Sequence, residues 1–305
     1  MKFLISGGSG FIGKSLTGIL RKKHHHVKHI TRADFNNSQS QIESLTEWAD
    51  IVINLAGASI SKKWTKAYKN ELYESRISIT QKIVEAINKN TLKPKLFISV
   101  SAVGFYNNSQ VFDEEHNLPA GNFLGDLCSD WETVAMRAVK DTRVVVFRLG
   151  IVLGRRGGIV KRLRPLFKLG LGASIGSGEQ PMSWVHISDV LNAIQYAVKN
   201  EELKGIYNLC TPNYLTNKEF SKAFAKGLNK PLLFKIPSFI LKWMLGEGSE
   251  VILEGQRVLP TRLLEAGFNF RFIKIEESFQ EIFRKLKKVK IEIKPKDSKT
   301  IESGN

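Results

Sequence analysis

Three glycines spaced three apart, set between an apolar run and an amphipathic pattern, constrain this chain more than any other feature. The stretch reads Lys2-Phe3-Leu4-Ile5-Ser6-Gly7-Gly8-Ser9-Gly10-Phe11-Ile12-Gly13. The apolar run predicts a buried strand. The apolar positions Phe11, Ile12, Leu16, Ile19 and Leu20 then fall on one helical face. Gly7 makes the tight turn out of the strand, Gly10 lets backbone approach a pyrophosphate, and Gly13 lets the helix pack against the sheet. The helix start then offers its free N–H groups and positive dipole end to phosphate.

The rest of the chain repeats the alternation. Residues 26–32, 50–57, 95–102, 143–150 and 205–210 read as buried strands, with helical patterns at 66–88 and 123–140 and another after Asp189 running to Asn200. Strands alternating with helices predict an α/β fold: a Rossmann-type, doubly wound parallel sheet with a smaller C-terminal α/β substrate lobe. The expected division is 1–154 for the nucleotide domain, with 184–210 returning to it, 155–288 for the lobe, and 289–305 as a disordered basic tail. Residues 33–49 leave room for one short helix, so the usual third strand is expected to be short or missing. Residues 236–245, Ile-Pro-Ser-Phe-Ile-Leu-Lys-Trp-Met-Leu, read as a core helix.

The second strand ends at Thr31-Arg32. An acidic residue at this place hydrogen-bonds the ribose 2′-hydroxyl of NAD, whereas an arginine accommodates the 2′-phosphate of NADP. Arg32 therefore points to NADP(H) over NAD, with Asp34 two residues on as the opposing signal. The ends of the following strands carry Leu55, Ala56 and Gly57, then Ser99, to the edge of the sheet where the cofactor is expected.

Composition excludes several classes. No apolar run reaches the ~18–20 residues of a membrane span, and the chain enters a strand at once, so neither a signal peptide nor a membrane partner is expected. Two cysteines, Cys128 and Cys210, give no disulfide framework and no metal spacing, which fits a reducing cytoplasm. The consecutive His24, His25 and His26 read as a solvated turn, because adjacent side chains diverge. The net charge of +17 invites a nucleic-acid reading. It is scattered along helices and gathered in the tail without an aromatic platform, so no specific nucleic-acid partner is expected.

Taken together, these residues resemble the extended short-chain dehydrogenase/reductase superfamily, the NAD(P)-dependent epimerase/dehydratase group. The glycine loop, Asn54-Leu55-Ala56-Gly57, Arg148-Leu149-Gly150, Gly176-Ser177-Gly178-Glu179-Gln180 and Trp184-Val185-His186-Ile187-Ser188-Asp189 carry the likeness. Trp64, Ser75-Arg76, Trp131-Glu132, 255–260 and 264–268 narrow it to an atypical branch. Members of that branch go under such labels as epimerase-family protein, nucleoside-diphosphate-sugar epimerase or cell-division-inhibitor-like. The resemblance spans roughly residues 1–285. It implies cofactor contacts from Gly7, Gly10, Phe11, Ile12, Gly13, Thr31, Arg32, Leu55, Ala56, Gly57, Arg76 and Ser99.

Departures from the family follow. Its catalytic Tyr-x-x-x-Lys belongs near residues 123–128, where neither tyrosine nor lysine stands. Its sugar-nucleotide enzymes carry Arg-Asp where this chain has Met182-Ser183. Hydride transfer to a carbonyl needs a proton donor beside the developing alkoxide. Ser101 matches the family serine that hydrogen-bonds the substrate oxygen, and Tyr106, just beyond it, is the expected donor on a loop over the nicotinamide. Arg148, Arg155 and His186 are the expected substrate contacts, and Glu132 is a further candidate. The first functional expectation is an NADP-dependent oxidoreductase or epimerase acting on a small anionic carbonyl or sugar-derived substrate. The alternative is an NADP-binding regulator that has lost the chemistry.

Overall fold

In the computed structural model, which describes residues 1–138 and 142–284, six parallel strands form the central sheet. They are β1 (Lys2–Ser6), β2 (His26–Ile30), β3 (Ile51–Asn54), β4 (Leu96–Ala102), β5 (Arg143–Leu149) and β6 (Gly205–Leu209), in the spatial order β6-β5-β4-β3-β1-β2. Every pairing is parallel, with Phe3 opposite Ile51, Asn54 opposite Ser99, Ser101 opposite Arg148 and Phe147 opposite Tyr207. The apolar runs are continuous because both faces are covered. Successive side chains alternate faces. Phe3, Ile5, Ile53, Ile98 and Phe147 pack with Leu16 and Leu20 of helix α1 (Phe11–Lys22) and with Val190 and Ile194 of the helix Ile187–Lys199. Leu4, Val52, Phe97 and Val146 pack on the other face with Ile42, Ile83, Ile87 and Ala135. The direction of strand succession reverses between β1 and β3, the topological switch point outside which such sheets bind ligands.

Residues 32–48 form two short helices, Arg32–Asn37 and Gln39–Trp48, where one was expected, and no strand. The first is fixed by a reciprocal cap between Thr31 and Asp34, which starts a helix as soon as β2 ends. The long helix expected over 66–88 is broken into Lys66–Glu74 and Ile77–Lys89. The break falls at Ser75, whose hydroxyl accepts from Ala58 N–H at 3.0 Å.

Outside the sheet, short strand pairs hold the C-terminal region together: Ile151–Leu153 with Trp184–His186, Ala173–Ile175 with Phe234–Ile236, and Val111–Phe112 with Arg257–Val258. An aromatic cluster of Phe167, Trp184, Phe220, Phe224 and Phe279 fills its core. Ser183, one of the two departures at 182–183, donates to Gln256 O at 2.9 Å and accepts from Val258 N–H at 3.0 Å. Gly255 makes that approach possible: at φ +64°, a Cβ would lie 1.8 Å from Pro181 O. The helix Ser238–Leu245 corrects the core-helix expectation, since none of its residues is buried. The expected tail, 289–305, lies outside the described residues.

Candidate functional site

The glycine loop joins the carboxyl end of β1 to α1. Gly7 sits at φ +71°, and a Cβ there would lie 2.5 Å from Leu55 O; a Cβ on Gly13 would lie 2.4 Å from Gly7 O. The Gly10 N–H donates to Gly7 O at 2.9 Å, which closes the turn. Gly10 is the N-cap of α1 and no side chain caps the helix. The first N–H groups of a helix have no intrahelical partner, so this end is an anion cradle. Phe11 packs under the chain at Gly154 and Gly157, where any Cβ would strike its ring.

Opposite the loop, the end of β3 is locked in place. Ser6 Oγ donates to Asn54 Oδ1, Asn54 Nδ2 to Thr80 Oγ1 at 2.8 Å, and Trp131 Nε1 to Thr80 Oγ1 at 2.8 Å. Leu55 N–H then reaches Ser6 O at 3.1 Å, and Leu55, Ala56 and Gly57 line the rim partly or fully exposed. Arg76 braces that rim from below. It donates to Ala58 O at 2.9 Å and Leu72 O at 3.1 Å, stacks 5.3 Å from the Trp131 ring, and has its pKa lowered by burial. Ser99 departs from expectation: it is fully buried and its Oγ has no hydrogen-bond partner.

Arg32 is exposed at the first position of its helix. Asp34 is not free to compete with it. Its carboxylate accepts from Thr31 N–H and Thr31 Oγ1, both at 2.7 Å, and from Gln41 Nε2. Thr31 thus acts as a cap.

The expected proton-transfer residues lie elsewhere than predicted. Tyr106 is 1% exposed, in the core and not over a crevice. Its hydroxyl accepts from Arg148 Nη1 at 2.6 Å and lies within donating distance of Asp113 O (2.9 Å) and Asn208 Oδ1 (3.1 Å). Burial pushes its pKa up to about 12, against the opposing pull of Arg148. Arg148, expected at a substrate anion, forms a bidentate pair with Glu132: Nε to Oε1 at 2.8 Å and Nη2 to Oε2 at 2.6 Å. Burial works to lower the Arg148 pKa, but Glu132 and Tyr106 outweigh it and the net shift is upward. Ser101 donates to the same Glu132 Oε1 at 2.7 Å. Ser101, Glu132, Arg148, Tyr106 and Asn208 are therefore one sealed network across the ends of β4, β5 and β6. Glu114 extends it by accepting from Asn208 N–H at 2.7 Å, and burial raises its pKa.

Two other expected substrate contacts hold the chain together. Arg155 Nη1 donates to Arg284 O at 2.9 Å. His186 is 1% exposed. Its Nδ1 accepts from Ser188 N–H at 3.2 Å, and its Nε2 lies 3.2 Å from Glu281 Oε2. Its ring packs 4.1 Å from Phe272. Burial lowers its pKa even with Glu281 pulling the other way. Glu114 and Asn208 carried no sequence signal, because their partners lie tens of residues away.

A cavity of about 920 Å³ lies in the C-terminal region and not at the glycine loop. Ser177, Gln180, Lys235, Ser238, Lys242 and Glu250 are among its walls. It borders the loop after β3, because Trp64 N–H donates to Leu245 O at 3.3 Å and Lys69 pairs with Glu247. From the other side, Arg162 Nη2 reaches Ser59 Oγ at 3.3 Å.

This sheet order, glycine cradle and locked β3 end agree with the family comparison. Residues 3–210 match the model of the NAD dependent epimerase/dehydratase family, and residues 236–282 match a domain of unknown function, DUF1731. The chain belongs to the NAD dependent epimerase/dehydratase family. It is 36% identical over 304 residues to the chloroplastic epimerase family protein SDR39U1 homolog of Arabidopsis thaliana, covering 93% of this chain and 87% of the relative. It is 39% identical over 289 residues to the epimerase family protein Mb2239 of Mycobacterium bovis, covering 90% and 95%. The crystal structure of human epimerase family protein SDR39U1 (isoform2) with NADPH superposes with a TM-score of 0.87 at 32% identity, covering 94% of this chain and all of that one. No described helix is long and apolar enough to cross a membrane.

Proposed function

We propose that this protein binds NADP(H) and works as an oxidoreductase or epimerase on a small polar carbonyl or sugar-derived substrate. The observation that carries the cofactor reading is the pairing of an uncapped, glycine-cradled helix start with an exposed Arg32 whose acidic neighbour is engaged. The NADPH in the human relative's structure supports the same choice. Gly7, Gly10 and Gly13 would admit the pyrophosphate, α1 would balance its charge, and Arg32 would meet the 2′-phosphate. Bound there, the nicotinamide would supply or accept a hydride.

The polar cavity beside the loop after β3 supports an enzyme, since its hydroxyl, amide, ammonium and carboxylate walls suit a polyfunctional substrate. The Ser101–Glu132–Arg148–Tyr106 network is read as a rigid floor. Tyr106 is buried, with its hydroxyl within donating distance of Asp113 O and Asn208 Oδ1, so the proton is expected from solvent or substrate. The same sealed network favours the second reading, an NADP(H)-responsive regulator.

Calorimetric titration with NADPH and NADH tests the cofactor, and a screen of carbonyl compounds for NADPH oxidation separates the two readings. Equal affinity for both dinucleotides would remove the NADP assignment. NADPH binding with no turnover across the screen would favour the regulator.

A further inference from the structure

We infer that the surface formed by the helix Ser238–Leu245 and the turn after the helix Gly158–Lys168 docks on an anionic lipid membrane. The helix Ser238–Leu245 is strongly apolar, yet it turns its largest side chains outward: Phe239 is 69% exposed and Trp243 81%. Leu233 and Phe234, just before it, are exposed as well. The pairing of Phe234 with Ala173 brings this strip beside Leu169 and Leu171, also exposed, where the chain folds back by Leu171 N–H to Leu166 O at 3.0 Å. Two neighbouring segments thus expose large apolar side chains, of the kind that mark an interaction site.

Its charge selects the occupant. Residues 142–178 and 220–246 contain no Asp or Glu. Lys168, Lys230, Lys235 and Lys242 are exposed on the same segments. Glu247, the first carboxylate after the strip, is paired with Lys69. Trp, Phe and Leu beside lysines is the composition that seats at a headgroup boundary, apolar groups inserted and ammonium groups on lipid phosphates. A second copy of this chain fits worse, since a two-fold contact would set lysines against lysines. Surface docking needs no spanning segment, so it is compatible with the lack of one.

The test is co-sedimentation of the full chain with vesicles of equal phosphatidylglycerol and phosphatidylcholine, against vesicles of phosphatidylcholine alone. Wild type should pellet with the anionic vesicles only, with a blue shift of Trp243 emission, and 1 M salt should weaken it. The double variant Phe239→Ser, Trp243→Ser keeps every lysine, including those of the tail, and should lose binding by at least about tenfold. Both sites are exposed, so folding should survive, which circular dichroism checks. Binding undiminished in the double variant, equal binding to neutral vesicles, or no binding of wild type would overturn the inference. So would a wild-type dimer in solution that Trp243→Ser converts to monomer.

Discussion

Two stretches of the sheet's carboxyl edge differ in how their polar groups are left. At β1 the backbone is arranged to leave N–H groups open, since α1 has no side-chain cap, and beyond β2 Arg32 stands in solvent. At β4 and β5, the next strands beyond β3, every group expected to do chemistry is closed on another. Ser101 and Arg148 share Glu132, and Tyr106 accepts from Arg148. One stretch of that edge thus keeps the features that recognise a dinucleotide. The other holds an ion pair, Glu132–Arg148, that fixes strand ends. Recognition and proton transfer are separable properties of this fold, and this chain retains the first more visibly than the second.

The largest effect should come from opening the closed side. Glu132→Gln leaves the Arg148 guanidinium buried without its counter-charge, a change worth about 3–5 kcal/mol in such pairs. Thermal unfolding should fall by roughly 6–20 °C, while NADPH affinity of the folded protein stays within about tenfold. A loss of binding with unchanged melting would mean that Glu132 serves the cofactor.

On the open side, Gly13→Val sets side-chain atoms against Gly7 O and should weaken NADPH by about 100-fold or more, read by calorimetry. Arg32→Ala should cost NADPH about 10–150-fold and leave NADH nearly unchanged, as expected for a charge-assisted bond to phosphate. If both dinucleotides weaken alike, Arg32 supports the loop and does not read the 2′-phosphate.

Tyr106→Phe sharpens the contrast. It removes an acceptor from Arg148 and should lower stability by about 1–3 kcal/mol. With any substrate found in the screen, turnover should change less than about threefold, whereas loss of a general acid costs ~10²–10⁴-fold. A loss in the latter range would restore Tyr106 to catalysis.

The smallest effect concerns pH. Burial lowers the His186 pKa, so the native state holds it neutral while the unfolded chain binds a proton below its ordinary value of about 6.5. Stability from this group is therefore present above about pH 6.5 and is lost as pH falls below it. His25 and His29 are shifted the same way by burial. Melting measured from pH 7 to 5.5 should decline, and less steeply in His186→Asn. An identical slope in the variant would exclude His186 as a contributor.

What the sequence alone determined is local or periodic. Gly7, Gly10 and Gly13 act within one turn, continuous apolar runs mark strands buried on both faces, and the lack of Tyr-x-x-x-Lys near residues 123–128 is visible by inspection. Thr31 and Asp34 form a cap three residues apart, legible in the same way, though Asp34 was weighed as a ribose ligand. The tertiary structure decided what those strand ends face. Glu132 and Arg148 are 16 residues apart and Tyr106 and Asn208 are 102 apart, so no spacing rule pairs them. It also turned the apolar stretch 238–245 outward, because hydropathy fixes a preference for burial and not the surface on which it is met. Local backbone sterics act at every occurrence of a motif. The pairing of buried charges depends on which side chains the fold brings within about 3 Å, and only packing sets that distance.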